Sequence, residues 1–201
     1  MTKPLVEQIR ARKRTRVVHE EEKPSLFIPT GSTLLNLALS ERGDGGYAAG
    51  KVANVIGDSH AGKTMLCLTT LAECVYSPLF DKHDLYYDDV ENACEFNVPL
   101  LFGQKVADRL LPPQRDKQGD PVPSDLIEDF HNTMTRLLQA RKPFVYVLDS
   151  LDQLSSREQV DRSRKEAAGK EIKGSYKLEV PKLLGQIMRE ISRDLDTTNS
   201  L

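Results

Sequence analysis

Residues Gly57-Asp58-Ser59-His60-Ala61-Gly62-Lys63-Thr64 satisfy the spacing G-x-x-x-x-G-K-[ST] at every fixed position, directly behind the apolar run Val52-Ala53-Asn54-Val55-Ile56. Met65, Leu66, Leu68, Leu71, Ala72 and Val75 then recur at helical spacing. A strand that turns sharply into a helix commits this part of the chain to an α/β layer, and the two glycines relieve the steric limits on the turn. Such a loop aims the backbone N–H groups of Ser59, His60, Ala61, Gly62, Lys63 and Thr64 at one point. There unpaired donors and the positive end of the helix dipole favour an anion. Lys63 adds a cation for the β- and γ-phosphates, and the Thr64 hydroxyl is placed to ligate Mg²⁺. The loop therefore reads as a nucleoside triphosphate site.

At 201 residues the chain is long enough for one sizeable core, and a formal charge of −2 gives no global bias toward nucleic acid or membrane. Cys67, Cys74 and Cys94 form no C-x-x-C pair, and His19, His60, His83 and His131 show no metal-ligand spacing. No apolar run approaches the ~18 residues of a membrane span, nor is there a signal-peptide apolar region. A soluble, cytoplasmic protein with reduced thiols is expected.

Residues 1–24 are charged and poor in large apolar groups, and read as an N-terminal arm; a globular pattern begins after it and fills 25–201. A short helix is expected from about Ser32 to Leu39, a second strand at Leu85-Tyr86-Tyr87-Asp88, and a short third at Arg109-Leu110-Leu111. Pro112 to Pro123 reads as a polar loop, followed by a helix capped by Ser124 or Asp125. Phe144-Val145-Tyr146-Val147-Leu148 is a continuous apolar strand of the kind covered on both faces in a parallel sheet. A charged stretch, 155–177, reads as a basic flexible loop, and a helix follows from about Val180 to Leu195. Strands alternating with helices predict a mostly parallel sheet flanked by helices.

An apolar strand that ends in an acid places a carboxylate at the carboxyl end of the sheet, beside the phosphate loop. Asp149 occupies that position, and its expected role is to hold Mg²⁺. Hydrolysis further needs a group that orients water, and Asp88-Asp89-Val90-Glu91 closes the second strand at the same edge. Glu91 is the candidate general base and Asp89 a second metal or water partner.

Thr30-Gly31-Ser32, Gly50, the phosphate loop, Asp89-Val90-Glu91-Asn92-Ala93 and Val147-Leu148-Asp149-Ser150 together resemble the RecA recombinase family in order and approximate spacing. The likeness covers roughly Pro29 to Leu201. It implies a RecA-like P-loop NTPase core whose later C-terminal strands are missing, with Glu91 as catalytic glutamate, ATP and Mg²⁺ as cofactors, and a DNA-dependent ATPase activity. It also implies assembly of a homo-oligomer or filament on single-stranded DNA in recombination and repair. Where bacterial members place an adenine-stacking tyrosine, this chain offers Val98 with Phe96 nearby, so the resemblance does not carry adenine selectivity over; the loops depart from the bacterial pattern in a way that suits a phage-type relative. The candidate DNA contacts are Arg157, Arg162, Arg164, Lys165, Lys170 and Lys173, interleaved with acids. The rival readings are a KaiC-like ATPase acting on protein partners and a small-molecule P-loop kinase.

Overall fold

The computed structural model describes residues 26–92, 94–168 and 179–201. Strand β1 (Phe27–Ile28) leads to helix α1 (Thr33–Ser40), whose N-cap Ser32 accepts the Leu35 N–H at 3.3 Å, and β2 (Tyr47–Ala48) returns antiparallel to β1. Helix α2 (Lys63–Tyr76) follows the phosphate loop, then β3 (Asp84–Asp89), the short helices α3 (Val98–Phe102) and α4 (Gln104–Arg109), and β4 (Leu110–Leu111). A small antiparallel pair, β5 (Gln114–Arg115) and β6 (Pro121–Val122), interrupts the expected loop. The long elements that close the domain are α5 (Ile127–Ala140), β7 (Phe144–Asp149), α6 (Arg157–Ala167) and α7 (Glu179–Thr198).

The described sheet is small and parallel, in the order β4-β3-β7. Strand alternation sends Leu85, Val145 and Val147 to one face, where they meet Leu71 and Val75 of α2, together with Phe80 and Val106. Phe144 and Tyr146 face the other way onto Ile127, Phe130 and Met134 of α5 and Ile187, Ile191 and Leu195 of α7. Both faces are thus covered, as the apolar β7 run predicts, and each fully buried aliphatic or Phe side chain contributes about 1.5–3 kcal/mol. Gly31 makes the first turn possible: its φ is 82°, and a Cβ there would lie 2.1 Å from Thr69 Cγ2 on α2.

Three expectations require correction. Val52–Ile56 carries no regular secondary structure and no ladder partner among the described residues, and the side chains of Val52 and Ile56 are 49% and 85% exposed. Apolar composition alone does not make a strand; a neighbour must satisfy its N–H and C=O groups. The β7 edge away from β3 is engaged instead by Leu201, which donates to Phe144 O at 3.0 Å and accepts from Tyr146 N at 2.7 Å. Second, neither Ser124 nor Asp125 caps α5. The helix starts at Ile127, with the Asp129 carboxylate accepting the Leu126 N–H at 3.2 Å, while the Ser124 N–H goes to the buried Asp88 carboxylate at 2.9 Å. Third, the segment read as a basic flexible loop is helical from Arg157 to Ala167, because Ser156 caps it by accepting the Gln159 N–H at 3.2 Å. Residues 169–178, with Lys170 and Lys173, lie outside the described residues.

Candidate functional site

The phosphate loop wraps the N-terminus of α2. Gly62 is its N-cap, with φ 87° in the left-handed region, and His60 also has positive φ at 62°. Glycine suits the first position because a side chain would be strained there whatever the space around it. The first N–H groups of α2 have no intrahelical acceptor, so they remain available to an anion. Lys63 reaches back over its own loop, its Nζ donating to Gly57 O and Asp58 O at 2.9 Å each. The loop is tightened by the Ala61 N–H, which donates to Asp58 O at 3.2 Å.

One contact ties this loop to the sheet. Thr64 Oγ1 donates to Asp149 Oδ2 at 2.7 Å, so the hydroxyl and the carboxylate expected to share a metal converge across an otherwise long chain separation. Asp149 ends β7 opposite Asp89 of β3 in the parallel register. The two acids lie side by side, but Asp89 has visible local work: its Oδ2 accepts the Cys94 N–H at 3.0 Å, closing the turn after β3. Glu91 is exposed in that turn, and Ser150 Oγ donates to its Oε1 at 2.6 Å; Ser150 also contacts Asp152. Gly57, Ser59, His60, Ala61, Gly62, Lys63, Thr64, Asp149, Asp89 and Glu91 therefore occupy one edge of the molecule.

Tyr87 is the participant that sequence reasoning missed. Its hydroxyl donates to the same Asp149 Oδ2, at 3.1 Å. Residues 85, 87 and 89 share a strand face, so the parity of β3 contained the signal. Burial, then its contact with the Cys94 thiol and the charge of Asp149, pushes the Tyr87 pKa far above the usual tyrosine range and keeps the phenol a donor. Cys67, on α2, is likewise held as a thiol: burial, reinforced by Asp149, raises its pKa to about 11.

Among the described residues no group of three or more His, Cys, Asp or Glu converges as a metal site. Mg²⁺ bound with a nucleotide needs fewer protein ligands, commonly one or two carboxylates beside substrate phosphates, and Thr64 with Asp149 fits that donor set. Val98, at the position compared with an adenine-stacking tyrosine, packs against the inner core instead, whereas Phe96 is exposed. Of the basic residues, Arg157, Arg164 and Lys165 are exposed on α6 and Arg162 is half-buried, while Glu158, Asp161 and Glu166 share the same helix.

The convergence of loop, Asp149 and Glu91 is matched by similarity along most of the chain. The chain is distantly similar to RecA proteins. It is 26% identical over 174 residues to Protein RecA of Xanthomonas axonopodis pv. citri (strain 306), and to the same degree to Protein RecA of Xanthomonas campestris pv. campestris (strain B100). The aligned part covers 87% of this chain but only 43% of each RecA, so the chain spans less than half the length of these relatives. No protein-family model matches the chain. Among the described residues, no helix is long and apolar enough to cross a membrane.

Proposed function

We propose that this chain is a RecA-like nucleotide-binding core that binds ATP with Mg²⁺ and hydrolyses it in response to single-stranded DNA, several copies acting together on the strand. The observation that supports the reading is the 2.7 Å contact between Thr64, in the phosphate loop, and Asp149, at the end of β7, since a phosphoryl-transfer site needs both groups together. Lys63 exchanges its backbone acceptors for phosphate oxygens, and the N–H groups at the start of α2 hold the remaining charge. Bound Mg²⁺ supplies charge neutralisation on the β- and γ-phosphates. Glu91, steadied by Ser150, accepts a proton from the attacking water.

DNA dependence rests on the RecA likeness and on the cations of α6. Because acids on that helix offset most of its charge, phosphate contacts from it alone would be few. This balance is the observation that keeps a second reading in play, an ATPase whose α6 meets a protein partner. ATP turnover measured with and without single-stranded oligonucleotide tests the first reading, alongside binding by anisotropy over a range of salt. Stimulated turnover and an affinity that falls with salt are expected, with a shallower slope after charge reversal at Arg164 and Lys165. Turnover indifferent to DNA, with no salt-dependent binding, favours the protein partner.

A further inference from the structure

The Tyr87 hydroxyl lies against the Asp149 carboxylate at the end of the sheet, beside the phosphate loop.

We infer that Tyr87 is a positioning residue for the metal-binding carboxylate, holding Asp149 through its Oδ2 so that the other oxygen is presented to Mg²⁺; this rests on the proposed nucleotide reading. The register places Tyr87 opposite Val147 and Asp89 opposite Asp149, so Tyr87 and Asp149 are diagonal neighbours on the face that carries α2 and the phosphate loop. Two hydroxyls donate to the same Oδ2, Thr64 at 2.7 Å and Tyr87 at 3.1 Å. Oδ1 has no hydrogen-bond partner among the described residues. A Thr64 oxygen drawn to a metal would have its geometry set by that metal, whereas Tyr87 would hold the carboxylate from a strand residue outside the metal's ligands. The ring packs against the inner core and cannot follow the carboxylate outward. The Cys94 N–H binds Asp89, two residues along β3 from Tyr87, so the turn that carries Glu91 is fastened to the same strand. Outer partners of this kind tune metal affinity through the orientation of the ligand they hold.

Tyr87→Phe keeps the ring and deletes only the donor. The experiment titrates Mg²⁺ into each protein mixed with the non-hydrolysable β,γ-imido analogue of ATP, and separately measures binding of that analogue in excess EDTA. The expected result is a Mg²⁺ half-saturation raised about 10- to 100-fold, the usual range for removing an outer partner of a metal ligand, with metal-free nucleotide affinity and the urea midpoint unchanged. An unaltered Mg²⁺ requirement overturns the inference. So does an equal loss with and without metal, or a lowered urea midpoint, since either makes the hydroxyl a determinant of the fold. A wild-type protein that binds the analogue no better with Mg²⁺ than without it overturns the underlying nucleotide reading as well, which separates the two failures.

Discussion

Replacing Asp88 by alanine should be among the most damaging single changes on the sheet while leaving nucleotide binding alone. Asp88 has no exposed surface, and its two carboxylate oxygens accept the Ser124 N–H at 2.9 Å and the Tyr146 hydroxyl at 2.6 Å. Alanine strands both donors, and each unsatisfied buried polar group costs about 1–3 kcal/mol, so about 2–6 kcal/mol is expected in total. A domain is typically stable by only about 5–15 kcal/mol, which makes this a large fraction. Asp88→Asn keeps one acceptor oxygen for the Ser124 N–H and loses the one that takes the Tyr146 hydroxyl, so it should cost less, about 0.5–1.5 kcal/mol. Urea denaturation of Asp88→Ala, Tyr146→Phe and the double variant measures the coupling directly, expected at about 0.5–3 kcal/mol for groups in one hydrogen-bond network. Asp88 points to the face opposite the phosphate loop, so affinity for ATP at temperatures where the variant is folded should match wild type. A cost below about 0.5 kcal/mol, typical of a surface site, would refute the reasoning, as would lost nucleotide affinity with intact stability.

Glu91→Gln should keep nucleotide binding and slow turnover by about 100-fold or more, the scale of a lost general base, read by comparing ATP affinity with kcat; equal turnover would move the role to another acid. Lys63→Ala should weaken Mg²⁺-ATP binding by tenfold or more, since a charge-assisted hydrogen bond is worth about 1.5–3 kcal/mol, with little change in the urea midpoint because the carbonyls it releases face water. For His83, burial is the first cause that lowers its pKa below the ordinary histidine value, with Arg109 acting the same way against Asp84 and the nearby backbone of Asn199. Among the described residues its two ring nitrogens have no hydrogen-bond partner. The unfolded chain therefore takes up the proton first, so stability is full above about pH 6.5 and declines as pH falls below it. Urea midpoints across that interval should show the decline in wild type and a flatter profile in His83→Phe.

Much of the fold was legible because local pattern and tertiary environment agree. The helical repeat after Thr64, the apolar run 144–148 and the second strand expected at Leu85–Asp88 each lie within a residue or two of the observed bounds. Val52–Ile56 failed for a physical reason: a strand is a property of a pair, and composition reports only one member. The helix at Arg157–Ala167 was hidden by its charge, although Ser156 followed by Gln159 at the third position is a capping pattern that announces a helix start. Of the candidate site, Gly57–Thr64, Asp149 and Glu91 were visible as types at a spacing, and the structure sets them near one another. Tyr87 was legible only in part: the parity of β3 puts it on the face of Asp89, but its contact with Asp149 depends on which strand lies beside β3 and in what register.

Lys63, folded onto the carbonyls of Gly57 and Asp58, turns ligand entry into a competition. An incoming anion gains only the difference between its own oxygens and the two neutral acceptors it displaces, and hydrogen bonds to a charged acceptor are roughly twice as strong as neutral ones. A weakly charged intruder is therefore barely better than what the lysine already holds, whereas a polyphosphate gains at several oxygens together. On the proposed nucleotide reading, discrimination by ligand charge would begin at Lys63 itself, ahead of any contact with base or sugar.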